Sequence, residues 1–279
     1  MSPLVSVIVP AWRAEATLAR AVRSLLAQTL AGWEAIIVAD DDVDYRALLA
    51  AQGIADDRLR FVRSRAPGSG AAAARNAGLA AAAGRLLTPL DADDLFDAAR
   101  LARLAPLAEQ AGAVFDNVRV VEEETGALLR TAFPVGGGEQ RIEAAAVLQG
   151  SAPLKPLLRR ELTEGWDEAL RLCDDVVFNL RLLDRTGPAP LVAEPLQEYR
   201  VREGSICHAP DSGARAERDY GWILQRLAAD GYGIADPALR RLARDAFAAK
   251  RDLNRAFEAA RQAGRATTFQ AFVAAGGAG

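Results

Sequence analysis

Short apolar runs alternate with helix-forming segments through the first hundred residues. Residues 5–9 are rich in valine and predict a buried strand that Pro10 ends. Residues 35–38, 59–62 and 86–90 predict three further strands. Each run is short and mostly apolar, which is typical of buried strands.

Helices are predicted between these strands. Leu18, Val22, Leu25 and Leu26 fall on one face of a helix, and the alanine-rich residues 71–83 predict another. Strands separated by helices indicate right-handed crossovers and a mainly parallel sheet. Because such sheets bind ligands outside the carboxyl ends of their strands, functional residues are expected there.

The pattern changes after residue 112. Residues 113–121 and 128–131 predict two extended segments joined by a hairpin turn, and residues 176–183 predict a late helix. From about residue 211 onward only helices are predicted. The fold class is therefore α/β: a mainly parallel sheet flanked by helices, with a helical C-terminal extension.

Composition and charge narrow the functional classes. The 279 residues are 51% hydrophobic and carry a net charge of −3, which predicts a folded chain without nucleic acid as a partner. Cys173, Cys207 and the single histidine, His208, are too few for a disulfide framework or a structural zinc site. We find no signal peptide and no long apolar span, so the expected location is cytoplasmic.

Acidic residues follow the predicted strands. Residues 40–42 come after the second strand, Asp91-Ala92-Asp93-Asp94 after the fourth, and Asp174-Asp175 at the start of the late helix. An Asp-x-Asp turn can present two carboxylates to one hard cation. Helix capping is the alternative, since Asp94 or Asp97 is also placed to cap a helix that begins near residue 98.

Several motifs occur in the order and spacing of a known family. They are Val5-Ser6-Val7-Ile8-Val9-Pro10-Ala11-Trp12, Ser24-Leu25-Leu26-Ala27-Gln28-Thr29, Trp33-Glu34-Ala35-Ile36-Ile37-Val38, Ala74-Arg75-Asn76-Ala77-Gly78-Leu79 and Leu90-Asp91-Ala92-Asp93-Asp94-Leu95. In these motifs the chain resembles the inverting glycosyltransferase family 2, which has the GT-A fold. The resemblance is close over residues 5–100, looser to about residue 207 and absent beyond.

The resemblance implies a domain plan and a reaction. Residues 1–209 are expected to form a GT-A (Rossmann-like) catalytic domain, with a nucleotide-sugar half (1–100) and an acceptor half (101–209), followed by a helical extension (210–279). The implied reaction moves a sugar with inversion from a nucleotide-sugar, most simply a UDP-sugar, to the hydroxyl of a saccharide or lipid-linked saccharide. The implied cofactor is Mn²⁺ or Mg²⁺, and the implied setting is bacterial surface-polysaccharide biosynthesis.

The resemblance also assigns roles to individual residues. The nucleotide-sugar site is expected to comprise Pro10, Ala11, Glu15, Asp40, Asp41, Arg75, Asp91, Ala92, Asp93 and Arg202. Within this set Asp93 is the implied metal ligand, and the pair Asp40 and Asp41 supplies the aspartate that binds uracil. Asp175 is the implied general base, with Trp166 and Asp174 on the acceptor side.

Two positions depart from the family pattern. The family usually has Asp-Asp-Gly-Ser after the second strand, whereas this chain has Asp40-Asp41-Asp42-Val43. Arg202 stands where many members have a metal-binding histidine; arginine cannot ligate a metal but can pair with phosphate oxygens. Either Arg202 or the nearby His208 is a candidate to take over that histidine's role.

The C-terminal region carries a separate hypothesis. Residues 238–265 contain eight basic and three acidic residues, and Leu239, Leu242, Ala246 and Phe247 share one helical face. A basic amphipathic helix can lie on an anionic membrane, here the inner face. The alternative is that this helix packs on the catalytic domain or on the partner of a homodimer.

Two rival functions are open at this stage. A haloacid-dehalogenase-type phosphatase also uses Asp-x-Asp after a strand, a later lysine such as Lys155 and a later acid pair. Its nucleophile normally ends the first strand, however, where this chain has Pro10. The other rival is a non-catalytic sugar-nucleotide-binding protein, which the two departures from the family pattern allow.

Overall fold

The β-branched runs of the N-terminal third form strands, and the segments between them form helices. The computed structural model describes residues 2–135, 140–150, 152–201, 212–274 and 276. The strands in these residues are β1 (Val5–Ala11), β2 (Trp33–Ala39), β3 (Leu59–Arg63), β4 (Leu86–Pro89), β5 (Leu95–Phe96), β6 (Ala113–Glu122), β7 (Leu128–Thr131), β8 (Gln140–Ile142), β9 (Leu157–Arg159) and β10 (Ala189–Val201). The helices are α1 (Leu18–Leu26), α2 (Tyr45–Ala51), α3 (Ala71–Ala81), α4 (Arg100–Ala111), α5 (Ala144–Gln149), α6 (Asp174–Thr186), α7 (Ser212–Ala229), α8 (Pro237–Gln262) and α9 (Phe269–Ala274).

One mixed sheet contains these strands. Its order is β3-β2-β1-β4-β9-β6-β10-β5, with β7 beside β6 and β8 beside β10. The strands β3, β2, β1 and β4 are parallel, β9 runs antiparallel to both β4 and β6, and β6 and β10 are parallel. The α/β class with flanking helices is confirmed, and the antiparallel strands of the sheet are β5, β7, β8 and β9.

The two faces of β1 pack against different helices. Val5, Val7 and Val9 belong to a buried cluster that also contains side chains of α1, α2 and α4. On the other face, a Cβ added to Gly78 of α3 would lie 2.5 Å from Cγ2 of Ile8. Alternation of side chains along the strand therefore explains why residues 5–9 are mostly apolar and buried on both faces.

A buried ion pair joins the two halves of the sheet. Arg100 and Asp116 are both 0% exposed, with 2.8 Å between Nη2 and Oδ1. The same guanidinium donates to Thr88 of β4 at 3.2 Å and to the carbonyl of Lys155 at 2.5 Å, and Gln197 of β10 donates to Asp116 at 3.0 Å. One side chain on α4 thus fixes groups from both halves of the sheet.

The chain divides into two units. One comprises Met1–Leu170 with Asp174–Arg202, and the other comprises Arg171–Cys173 with Glu203–Gly279. In the second unit, α7 packs on α8, and the apolar face of α8 is buried there at Leu239, Phe247 and Phe257. No helix in the described residues is long and apolar enough to cross a membrane.

Some elements differ from the sequence expectation. The strand β1 does not end at Pro10 but continues to Ala11 beside β2. Proline has no N–H to donate, but β1 pairs with β4 only as far as Ile8, so no hydrogen bond to β4 is lost at Pro10. Neither α2 nor β10 was predicted. The strand β10 contains Pro195, and its register with β6 shifts on either side of this residue.

The Arg100–Asp116 pair generates the first prediction. Replacing Arg100 with leucine leaves a buried carboxylate without its cation, so we expect a loss of about 3–5 kcal/mol in the free energy of unfolding, measured in urea. The control is Arg103→Leu on the same helix. Arg103 pairs with Glu194 at 2.7 Å, but both side chains are 54% exposed, so its loss should cost less than about 1 kcal/mol. Equal losses for the two variants would contradict the assigned importance of the buried pair.

Candidate active site

The carboxyl ends of the parallel strands gather the acidic residues at one edge of the sheet. Asp40 and Asp41 directly follow β2, and Asp91 lies two positions after the end of β4. Trp12 follows β1 and is 46% exposed, and the end of its ring lies 3.7 Å from a Cβ placed on Gly68. This edge is where ligands bind in sheets of this kind.

Asp40 is bonded to the start of α3. Its Oδ1 accepts from Ser69 N at 3.0 Å and Ser64 Oγ at 2.5 Å, and its Oδ2 accepts from Gly70 N at 2.8 Å. A carboxylate at the N-terminus of a helix satisfies free N–H groups and complements the helix dipole. Asp40 therefore shapes the turn that leads into α3 at the same edge as the predicted donor site.

Asp41 joins the loop after β1 to the helix after β2. Its Oδ2 accepts from Arg13 N at 2.7 Å and from the Tyr45 hydroxyl at 2.8 Å. Tyr45 in turn accepts from Ala14 N at 3.0 Å. Arg13 has a φ of +50°, a conformation that a non-glycine residue rarely adopts. The bond to Asp41 holds this strained loop in place beside the predicted donor site.

The Asp-Ala-Asp-Asp segment forms a turn over a buried lysine. Asp94 N donates to Asp91 O at 3.0 Å, which closes the turn. Lys155 Nζ lies 3.0 Å from Asp91 Oδ2 and also bonds Asp94 Oδ2. Although burial raises it, Lys155 and Arg75 hold the pKa of Asp91 below its usual range. Burial raises the pKa of Asp94 to about 7, against the effect of Lys155.

Arg75 of α3 connects this turn to the start of α6. Its Nη2 donates to Asp91 Oδ1 at 2.7 Å and its Nη1 to Asp174 Oδ2 at 2.5 Å. The Arg75 side chain is 9% exposed, and its Nε is buried without a hydrogen-bond partner among the described residues. Arg75, which the family resemblance assigned to the nucleotide-sugar site, thus lies between the two acidic groups.

Asn76, the neighbour of Arg75 in its motif, binds the backbone of Trp166. Asn76 donates to Trp166 O at 2.9 Å and accepts from Trp166 N at 2.8 Å, which fixes the backbone before α6. The Trp166 ring stacks on Phe178 with 4.3 Å between centroids and is 5% exposed. Trp166, predicted on the acceptor side, is therefore packed on at least one face.

Asp175 has the electrostatics of a base that works near neutral pH. It belongs to the first turn of α6, beside Asp174. Burial and the Asp174 carboxylate raise the pKa of Asp175 to about 6, while Arg75 acts in the opposite direction. Burial likewise raises the pKa of Asp174. A carboxylate with such a pKa is ionised at pH 7 yet basic enough to accept a proton during a reaction.

The remaining predicted residues are placed as follows. Pro10 and Ala11 end β1 at the carboxyl edge, Glu15 is exposed in the loop that follows, and Ala92 is buried within the acidic turn. Arg202 and His208 lie outside the described residues.

Three residues of this cluster had no site role in the sequence interpretation. Asn76 belonged to a family motif but had no assigned role. Asp94 was a candidate helix cap, and Lys155 appeared only in the phosphatase alternative. Asp97 instead accepts from Ala99 N at 2.9 Å just before α4. A signal for Lys155 did exist: it is one of only two lysines in the chain and interrupts an apolar run.

The carboxylates suit a cation that takes most of its ligands from elsewhere. No group of three or more acidic, histidine or cysteine side chains in the part of the chain described here could enclose a metal ion. Asp93 supplies hard oxygen donors, which Mg²⁺ and Mn²⁺ prefer. Such ions commonly use one or two carboxylates and complete their shell with water and substrate phosphates. The donor set therefore fits a cation bound together with a phosphate-containing substrate.

Comparisons with known proteins agree on one family. The chain is 32% identical over 227 residues to the succinoglycan biosynthesis protein ExoO of Rhizobium meliloti (strain 1021), covering 73% of this chain and 62% of that protein. It is 30% identical over 257 residues to the uncharacterized glycosyltransferase EpsJ of Bacillus subtilis (strain 168), covering 84% and 72%. The chain thus spans less than two thirds of the length of ExoO.

Solved structures share the fold. S. aureus TarS 1–349, crystallised in complex with UDP-GlcNAc, superposes with a TM-score of 0.68 at 17% identity, covering 89% of this chain and 72% of that one. The family model for glycosyl transferase family 2 matches residues 6–163, which is more than half of the chain. The chain therefore belongs to glycosyl transferase family 2.

Proposed function

We propose that this chain transfers a sugar from a nucleotide-sugar to an acceptor hydroxyl, with inversion and with a divalent cation. The main support is the contact of Arg75 with both Asp91 and Asp174. The distances are 2.7 Å from Nη2 to Asp91 Oδ1 and 2.5 Å from Nη1 to Asp174 Oδ2. It brings the Asp-x-Asp turn and the acid pair of α6 into one cluster. A donor site and a base for the acceptor must lie this close for a direct displacement.

The donor is proposed to be a UDP-sugar. The TarS structures contain UDP-GlcNAc or UDP, and another relative, WfgD of Escherichia coli, is a UDP-Glc glucosyltransferase with 38% identity over 98 residues. In this chain the nucleoside would lie between the exposed Trp12 ring and the turns held by Asp40 and Asp41. An exposed aromatic ring beside fixed polar groups is suited to stack on a base.

The acidic turn and the cation are proposed to serve the leaving diphosphate. Asp93 would hold the cation, as the family resemblance implied, and Asp91 would be directed toward the ribose and donor sugar. When bound, the cation supplies positive charge to the phosphate oxygens of the leaving nucleoside diphosphate. Arg75 adds fixed positive charge in the same cluster, and preorganised charge lowers the barrier more than charge that must rearrange.

Asp175 is proposed as the general base. It would accept the proton of the acceptor hydroxyl as that oxygen attacks the anomeric carbon and the diphosphate departs from the opposite face. One base and one leaving-group site suffice for a single displacement, which inverts the configuration. Asp174 is held by Arg75 at 2.5 Å and would position the acceptor beside the base.

The acceptor is proposed to be a saccharide or lipid-linked saccharide in polysaccharide assembly. The relatives named for succinoglycan biosynthesis support this setting. Cytoplasmic location, contact with a membrane and a homodimer stay predictions. The apolar residues Leu239 and Phe247, which suggested membrane contact, are buried within the C-terminal unit, whereas Leu242 is 43% exposed.

Nucleotide binding tests the donor site. We expect calorimetry to detect UDP binding to the wild-type chain that requires Mn²⁺, and Asp93→Ala to weaken it at least about tenfold, because the cation loses its carboxylate. The control is Asp57→Ala, which removes an exposed carboxylate elsewhere and should bind as the wild type does. Failure of UDP and GDP to bind under any condition would overturn the proposed function.

A second prediction concerns the base. Asp175→Asn should lower the rate of sugar transfer about 10²- to 10⁴-fold, because the amide cannot accept the proton, while the UDP affinity changes by less than about threefold. Asp184→Asn, on the same helix α6, is the matched control and should retain its rate. An active Asp175→Asn variant would show that another group is the base.

The raised pKa of Asp175 predicts the pH dependence. The base must be ionised, so the single-turnover rate at saturating donor should be constant above about pH 7 and fall about tenfold per unit well below pH 6. UDP affinity measured at the same pH values separates this effect from the titration of Asp94, whose pKa is about 7. A rate that stays constant down to pH 5 would contradict the assignment.

A further inference from the structure

The backbone around Lys155 is held by hydrogen bonds that do not involve the Lys155 side chain. Arg100 Nη2 donates to Lys155 O at 2.5 Å, and Asn179 Nδ2 donates to Leu154 O at 3.0 Å. The side chain of Lys155 is only 6% exposed. A lysine anchored on both sides and buried in this way has little freedom to move its ammonium group.

The ammonium group lies between two carboxylates of the acidic turn. It is 3.0 Å from Asp91 Oδ2 and hydrogen-bonded to Asp94 Oδ2. Asp94 is 3% exposed, and its other oxygen accepts from Arg200 N at 3.0 Å. Lys155 thus holds the turn after β4, and through Asp94 it connects that turn to the end of β10.

The charge balance of the cluster makes this contact important. The acidic turn and the start of α6 together contribute five carboxylates, those of Asp91, Asp93, Asp94, Asp174 and Asp175. Among the described residues, Arg75 pairs with Asp91 and Asp174, and Lys155 pairs with Asp91 and Asp94. A nucleoside diphosphate would bring further negative charge to the same place. Without Lys155, Asp91 and Asp94 would repel an incoming diphosphate, and the same two carboxylates would attract cations in its absence.

We propose that Lys155 is a positioning residue of the donor site, whose ammonium neutralises Asp91 and Asp94 and so makes cation binding depend on the nucleotide. This inference rests on the proposed function. It assigns to one buried lysine two opposite effects: strengthening the binding of the anionic donor and weakening the binding of a cation alone. A residue that only stabilises the fold would not have opposite effects on two ligands.

The test measures both affinities in Lys155→Met. Mn²⁺ binding without nucleotide is followed by the paramagnetic resonance signal of the free ion, and UDP binding at saturating Mn²⁺ by calorimetry. We expect the variant to bind Mn²⁺ alone about tenfold more tightly and UDP about tenfold more weakly than the wild type. Lys250→Met removes the other lysine of the chain, on α8, and should leave both affinities unchanged.

Two further variants distinguish the proposed role of Lys155 from a loss of folding in Lys155→Met. Lys155→Arg keeps the charge, so its affinity for Mn²⁺ alone relative to its affinity for UDP should remain as in the wild type. The double variant Lys155→Met with Asp94→Asn removes one charge of each sign, and the amide oxygen introduced at position 94 can still accept from Arg200 N. We expect it to restore the UDP affinity to within about threefold of the wild type, which marks the two residues as coupled.

The outcomes distinguish this inference from the proposed function. If the wild-type chain binds UDP with Mn²⁺ but Lys155→Met weakens both ligands together, or changes neither, the positioning role is wrong and the proposed function stands. If the double variant is no better than Lys155→Met, the role through Asp94 is likewise wrong. If the wild-type chain itself binds no UDP, the proposed function fails and this inference fails with it.

Discussion

The ion pair between Arg100 and Asp116 is the constraint on which the arrangement of the site depends. Burying two charges costs several kcal/mol per ion, and the cost is offset only when every donor and acceptor is used. Here Arg100 bonds Asp116, Thr88 and the Lys155 carbonyl, and Gln197 bonds Asp116. Since these groups come from β4, β6, β10 and the segment before β9, the pair fixes β4, whose end carries the acidic turn, to the C-terminal half of the sheet.

From Lys155, whose backbone Arg100 holds, a chain of alternating charges leads to the start of α6. Arg100 holds the backbone of Lys155, Lys155 holds Asp91, Asp91 bonds Arg75, and Arg75 bonds Asp174. Every step is a direct hydrogen bond or ion pair, so each charged group is oriented before any ligand arrives. Fixed groups need not rearrange as charge develops in a reaction, which is the advantage of preorganisation. The same alternation keeps five carboxylates together without prohibitive repulsion.

The parts that the sequence predicted are those with a local signal. Apolar runs of four or five residues were enough to find β1 to β4, and the position of Asp91 after β4 followed from the rule for strand ends. The strand β10 was missed because Pro195 interrupts it, and pairing with β6 on both sides of Pro195 compensates for this break. Lys155 was missed as a site residue because its partner Asp91 is 64 positions away, and no local pattern records such a contact.

The altered turn after β2 shows that a departure from a family pattern can leave the acid pair of that pattern in place. A glycine in such a turn is needed when the backbone must adopt a positive φ. Among the described residues, the non-glycine positions with positive φ are Arg13, Cys173 and Tyr232, so Asp41 and Asp42 do not require glycine. The strained position is Arg13, in the facing loop, whose N–H bonds Asp41 at 2.7 Å. The turn after β2 therefore keeps the acid pair with a backbone that any residue can adopt, and Asp41 stabilises the strained backbone of the loop after β1.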